Sequence, residues 1–329
     1  MSPMSRRGLL GLAAALPAAS GTVRAQTVAA GWPRRPVRVI VPFSPGSTVD
    51  IAARAVTAPL QAGFGQPFVA ENRTGAGGIV GVDAIAKSTD GHTLGVATNG
   101  PIALAKALYR NLPYDPARDL QPVSLLMQAP QILTVHPSLD VHDAAGLVRL
   151  ARERPGALSY GSVGPGASGQ LAMEAFKTMN GVDLVHVPYR GFPEAVLDQV
   201  AGRIDAMFAV AAAVLEQVRD GRLRALAVTA TERFTQAPDI PTLAEQGMPG
   251  LVSVSWVGLV APAALPRDIV ARLARTAHEG LAEPTSRRAL ERAGFEVVGS
   301  TPEAFQTTID AEARDFGGLI ERLGIRLDV

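Results

Sequence analysis

The stretches VIVPFSPGSTVDIAARAV (39–56) and LSYGSVGPGASGQLAMEAFK (158–177) share one plan: an apolar strand, a turn of Gly, Pro and Ser, then an amphipathic helix. The N–H groups that open each helix lack intrahelical partners and carry roughly half a positive charge from the macrodipole, so each turn is a seat for an anionic oxygen. Two such seats predict two similar α/β lobes gripping one anionic ligand between them.

Outward from these stretches, runs rich in Val, Ile and Leu alternate with helical runs. Strands are predicted at 35–43, 66–72, 92–100, 131–137, 157–163, 183–189, 203–210 and 222–230. Helices are predicted at 50–63, 77–88, 143–156, 168–181, 194–203 and 212–222. Short apolar strands separated by single helices indicate an α/β fold, with mainly parallel sheets covered on both faces. After Thr229 a loop-rich passage leads to the apolar run VSVSWVGLVAPAAL (252–265). Helices at 267–283, 285–294 and 302–323 follow, with a strand at 295–300. The strands near 123–136 and 252–262 are the two places where the chain can cross between lobes. One lobe is then discontinuous (26–128 and 256–329), the other continuous (129–255), and the two crossings form a hinge.

Residues 1–25 read as an export signal. Arg6 and Arg7 lead into GLLGLAAALPAA, and small residues follow before an expected cut at Ala25/Gln26. The paired arginines suggest a twin-arginine signal, with the general secretory route as the alternative. The apolar run is broken by Pro17 and is shorter than the ~20 residues needed to span a bilayer. The chain contains no cysteine, which excludes a disulfide framework, a thiolate metal site and a lipid-modified cysteine. A soluble periplasmic protein is expected. Removing the signal lowers Lys+Arg from 31 to 28 against 30 acids, a net charge of −2, so neither nucleic acid nor an anionic membrane surface is expected as partner.

GPGASG (164–169) matches the G-x-G-x-x-G pattern, but Asp183 precedes the next strand instead of closing it, and Pro165 restricts the turn. A simple anion seat or a ligand-free tight turn fits better. PFSPGST (42–48) lacks the lysine of a nucleotide phosphate loop. Ser47 or Thr48 is the expected N-cap of the helix that follows. Asp50 falls in its first turn, where stabilising the helix and touching a ligand are both open. The five histidines show no zinc-ligand spacing, and His186 reads as a hydrogen-bonded core residue. Without a nucleophile elbow or a buried pair of carboxylates, the residues offer anion recognition without a reaction. Tyr189 and Arg190 end a strand near the second turn, where an arginine pairs with a carboxylate or is simply solvated.

These residues, with the blocks WPRRPVRVIVPFSPGSTVDIAARAV, FGQPFVAENRTGAGGIVGVDAIAKS, LPYDPARDLQPVSLL, LVHVPYRG, DIPTLAEQG and SWVGLVAPAALP, resemble the Bug family, the periplasmic solute receptors of tripartite tricarboxylate transporters. The resemblance runs over essentially the whole chain after the signal. It implies a type II periplasmic binding protein, a two-lobed "Venus flytrap" that acts as a monomer without a cofactor. Such a receptor binds a di- or tricarboxylate, an acidic amino acid or an aromatic acid, and delivers it to membrane permease subunits. A sensor partner of a membrane signalling protein and a carboxylate-acting enzyme using Ser162 or Ser168 are the alternatives. The family's ligand loops fall here on Phe43, Ser44, Pro45, Gly46, Ser47, Thr48 and Asp50, and on Ser162, Gly164, Gly166, Ala167 and Ser168. Thr98, Asn99 and Gly100 are expected to line the first lobe, and Tyr189, Arg190 and Phe208 the second. Ser47 replaces a usual glycine, Ala167 and Gln170 replace polar residues, and Ala209 replaces a frequent aspartate. These departures favour a ligand with an apolar or aromatic body.

Overall fold

The computed structural model describes residues 31–189, 191–292 and 294–327; the expected export signal, its expected cut at Ala25/Gln26 and Arg190 lie outside the described residues. The first segment holds β1 (Val37–Val41), α1 (Thr48–Phe64), β2 (Phe68–Asn72), α2 (Ile79–Ala86), β3 (Thr93–Thr98), α3 (Ala105–Leu108) and α4 (Pro116–Asp119). The long β4 (Leu120–Val135) leads to α5 (Ala144–Glu153), β5 (Ser159–Ser162), α6 (Ser168–Asn180), β6 (Val185–Pro188), α7 (Phe192–Val200), β7 (Ala206–Val210), α8 (Ala211–Arg219) and β8 (Arg224–Val228). The chain returns through β9 (Val254–Pro262) to α9 (Arg267–Ala282), α10 (Pro284–Arg292), β10 (Glu296–Val297) and α11 (Pro302–Leu323).

The strands join in the order β2-β1-β3-β9-β4-β7-β5-β6, with β8 and β10 also paired to β4. The expected parallel pairing holds within each lobe, for β1 with β2 and β3 and for β5 with β6 and β7. Every pairing of β4 and β9 is antiparallel, so the sheet is mixed. The reason is topological: β4 leaves the first lobe and β9 returns to it, so the two crossing strands must run in opposite directions. β4 changes partners in mid-course. Leu120–Pro130 pairs with β9, and from Gln131 onward the strand pairs with β7 and β8.

This register fixes where the loops go. β1 and β3 run in the direction of β4, so their carboxyl ends point toward the second lobe. β7, β5 and β6 run against β4, so their carboxyl ends point back toward the first. All five ends converge on the boundary where β4 changes partners, the location favoured for ligands in open α/β sheets.

Side-chain alternation then builds the layers. In β1, Val37, Val39 and Val41 enter the core beneath α1 and α9, while Ile40 enters the opposite core with Ile79, Trp256, Phe305 and Ile320. In β7, Met207 and Ala209 pack toward α8, while Ala206 and Phe208 pack toward α5 and α6. At the partner change the fully buried Thr229 ties three segments together. Its hydroxyl accepts from the Gln131 N–H at 2.9 Å and reaches the Ser253 carbonyl, and its own N–H donates to the Gln131 carbonyl at 3.0 Å.

Candidate functional site

The first turn follows β1. Pro45 and Gly46 occupy the centre of a type II turn, in which the second central residue needs a positive φ; Gly46 has φ +78°. The Ser47 N–H closes the turn onto the Ser44 carbonyl at 3.1 Å. Ser47, not Thr48, is the N-cap of α1, its Oγ accepting from the Asp50 N–H at 3.3 Å. Asp50 is 3% exposed and is saturated from inside the fold. Its carboxylate accepts from the Gly46 N–H (2.9 Å), from Asn72 Nδ2 (3.0 Å) and from Arg54 Nε (2.9 Å). The Arg54 bond, supported by those of Gly46 and Asn72, outweighs burial and holds the Asp50 pKa at about 2. Asp50 therefore braces the turn from behind, while Ser44, Pro45, Gly46 and Thr48 are exposed. Phe43 is half-buried, and its carbonyl accepts from Asn72 Nδ2 at 2.9 Å.

The second turn follows β5 and repeats this path. Pro165 and Gly166 are central, Gly166 has φ +77°, and the Ala167 N–H donates to the Gly164 carbonyl at 3.2 Å. The Gly166 N–H donates to Gln170 Oε1 at 3.1 Å, as Gly46 does to Asp50. Ala167 caps α6 without a side-chain bond, and Ser168 Oγ accepts from Gln131 Nε2 at 2.8 Å. Gln131 is fully buried, and its Oε1 has no partner among the described residues. Ser162, 1% exposed, shares a 2.6 Å hydrogen bond with His186 Nε2 and accepts from the Gly164 N–H at 3.1 Å. Burial depresses the basicity of His186, whose ring stacks on Tyr160 at 4.8 Å. The Ser162–His186 pair has neither an open approach nor a carboxylate orienting the imidazole among the described residues, so it is not a nucleophilic triad.

Between the turns, Thr98 and Gly100 are partly exposed at the end of β3, and Gly100 opens a π-turn to Leu104. Asn99 is turned inward. Its Nδ2 donates to the Val254 carbonyl (3.0 Å) and to the Glu312 carboxylate (2.6 and 2.8 Å), while its Oδ1 accepts from the Trp256 N–H at 3.2 Å. Trp256 Nε1 also donates to Glu312 at 2.6 Å, and burial pushes the Glu312 pKa up to about 7 against these bonds. Asn99 thus ties β3 to the returning strand β9 and does not line a cleft.

Phe208 is a second correction. It is fully buried with its ring 6.0 Å from that of Phe176, because alternation along β7 aims it at the inner face of α6. Tyr189 donates its N–H to the Ser162 carbonyl (2.8 Å) and its hydroxyl to Asp198 (2.9 Å), and burial, with the Asp198 carboxylate, pushes its pKa up to about 12. The two lobes touch beside the second turn, where a methyl group at Gly166 would stand 2.9 Å from Leu108 and 3.4 Å from Leu327. Sequence reasoning missed Gln131, Asn72, Glu312 and the pairing of His186 with Ser162; of these, only Asn72 and His186 stood within a quoted family block.

Residues 52–325 match the tripartite tricarboxylate transporter family receptor. The chain belongs to this receptor family. Among its relatives, protein BugT of Bordetella pertussis is 34% identical over 311 residues, 94% of this chain and 95% of BugT. A structure of an R. palustris protein with adipate is 36% identical, with a TM-score of 0.77, over 90% of the receptor and 100% of that chain. MatC of Rhodopseudomonas palustris with bound malate is 30% identical, with a TM-score of 0.74, over 88% and 100% respectively. The receptor accordingly has the two-lobed fold of periplasmic binding proteins. No helix among its described residues is long and apolar enough to cross a membrane.

Proposed function

We propose that the receptor is exported to the periplasm, captures a small organic carboxylate between its lobes and hands it to the permease subunits of a tripartite transporter. The observation that carries this reading is the pair of matching Pro-Gly turns, each opening a helix at strand ends that converge on the lobe boundary. The opening N–H groups of α1 and α6 would hold the carboxylate oxygens, with Phe43, Thr98, Gly100 and Ala167 around them and the buried Ser162 bracing the second turn from beneath. The helix dipoles offset the charge without a cofactor. The lobes would be 26–128 with 256–329, and 129–255, hinged where β4 changes partners and Thr229 clasps the strands. Closure would exclude water and strengthen the bonds to the anion. Adipate in one relative and malate in another support the carboxylate class, and Ala167 favours an apolar body; Ala209, fully buried against α8, does not bear on the ligand.

The test is thermal unfolding of refolded mature protein against aliphatic, amino and aromatic carboxylates. An acid at ~100 times its dissociation constant adds about 2.7 kcal/mol of stability, a shift of a few degrees. A saturable shift with a few acids is expected. No shift with any acid sinks the reading, and a preference for citrate over adipate and aromatic acids sinks the apolar-body component.

A further inference from the structure

The hydrogen bond between Ser162 and His186 has no role in the account above, yet it sits directly beneath the second turn. We propose that His186 is a positioning residue that couples carboxylate capture at this turn to the uptake of a proton from solvent; the inference rests on the carboxylate reading.

With the imidazole neutral and its proton on Nδ1, Nε2 accepts the Ser162 O–H at 2.6 Å, and Ser162 Oγ in turn accepts the Gly164 N–H at 3.1 Å. The hydroxyl has a second acceptor in reach, the Gly164 carbonyl at 3.3 Å. When a proton arrives on Nε2, the hydroxyl turns to that carbonyl and Nε2–H donates to Oγ across the same contact. The pair therefore holds either protonation state without displacing a heavy atom, and the Gly164–Ala167 turn keeps its anchor in both.

The groups facing the imidazole leave its charge to be set by the ligand. β5 contributes Ser162 and the stacked Tyr160 ring, whose hydroxyl donates to Glu174 at 2.5 Å. From α6 come Glu174 and Lys177, of opposite sign and paired at 3.0 Å, with Lys177 also 3.4 Å from the exposed Asp183. Burial lowers the basicity of the unliganded ring, with Glu174 raising it and Lys177 lowering it further. A carboxylate seated on the opening turn of α6 adds a negative charge across Ser162 and Gly164 and favours the imidazolium. By linkage, affinity must then rise as pH falls. The first turn has no such group, because Asp50 is already ionised throughout this range.

The experiment is calorimetric titration with adipate, or malate if adipate gives no heat, from pH 6 to 8 in buffers of different ionisation enthalpy. Wild type is expected to take up a fraction of a proton and to bind several-fold more tightly at pH 6 than at pH 8. His186→Gln should take up less and bind with nearly flat pH dependence, while Glu312→Gln, which removes a buried carboxyl whose pKa is pushed up to about 7, should keep the wild-type slope. Equal proton uptake in wild type and His186→Gln, or loss of the slope in Glu312→Gln alone, overturns the proposal. Should His186→Gln fail to fold, NMR titration of the His186 ring in wild type decides the matter: its pKa must rise on saturation with ligand, and an unchanged pKa overturns the inference. Binding without coupling defeats this inference alone, whereas no binding of any acid defeats the carboxylate reading and the inference with it.

Discussion

The turn at Ser44–Ser47 and the turn at Gly164–Ala167 follow the same backbone path and are held by opposite chemistry. Their glycines have φ +78° and +77°, and in each the glycine N–H donates to the side chain four residues on. In the first turn that acceptor is Asp50, locked by Arg54 and Asn72, and the helix is capped by a serine hydroxyl. In the second it is the neutral Gln170, the cap has no side-chain bond, and the surrounding groups are a hydroxyl, an imidazole and an amide. A fixed carboxylate already offsets part of the α1 dipole, so the first turn is a rigid rim. On the proposed carboxylate reading, the uncompensated α6 dipole would be the better seat for the ligand's charge.

Removing the acceptor from each turn is expected to give the largest contrast. Asp50→Ala strands the Gly46 N–H and the Asn72 amide and frees Arg54, at a cost of about 3 kcal/mol, whereas Gln170→Ala leaves one N–H unpaired, at about 1 kcal/mol. Urea unfolding measures both, and equal losses would break the comparison. The pH dependence separates them further. Asp50 has a folded pKa of about 2, below its ordinary value of 3.8. Its contribution is therefore complete above the unfolded pKa and lost as pH falls through the folded one. The stability gap between wild type and Asp50→Asn should narrow as pH falls from 4 to 2, while that of Gln170→Ala stays constant.

The two glycines come next. Both lie in the left-handed region, where a Cβ costs roughly 1–2 kcal/mol. At Gly46 nothing lies within 4 Å of an added methyl, whereas at Gly166 it would meet Leu108 at 2.9 Å. Gly46→Ala should cost about 1 kcal/mol and Gly166→Ala about 2–3 kcal/mol, the excess being overpacking across the lobe contact. Leu108→Ala in the Gly166→Ala background should recover part of the excess and nothing of the strain. Failure of that rescue would mean that the lobes do not meet at Leu108.

What the sequence revealed of this site was what local chemistry encodes. Pro-Gly followed by a small polar or small apolar residue favours a type II turn into a helix, so both turns and their helices were legible, as were the long strands near 123–136 and 252–262. The side chains that hold the turns were not, because they arrive from distant segments: Gln131 lies 37 residues from Ser168, and Glu312 lies 213 from Asn99. Phe208 was misplaced for a different reason. The run FAVAAAV carries no polar residue to mark which face of β7 is wet, so its parity became visible only once β7 was paired with β4. Asn99 failed similarly, since its side-chain partners depend on where α11 packs.

The substitution whose effect is read in binding carries the sharpest test of the comparison. Gln170→Glu places a carboxylate where Asp50 stands in the first turn, within reach of the same glycine N–H. Four residues on, α1 offers Arg54 but α6 offers Glu174. The new charge gains about 0.3–1 kcal/mol from the α6 dipole and loses about 0.2–0.5 kcal/mol to a like-charged neighbour, and because position 170 is 6% exposed its desolvation adds to the loss, so the melting temperature should fall. Ligand binding should respond very differently. A carboxylate at this position competes with the ligand's own for the opening N–H groups of α6, and affinity for adipate should fall about tenfold or more, equivalent to ~1.4 kcal/mol. Binding that survives Gln170→Glu unchanged would mean that the second turn does not read the ligand's charge, and that the difference between the turns is one of folding alone.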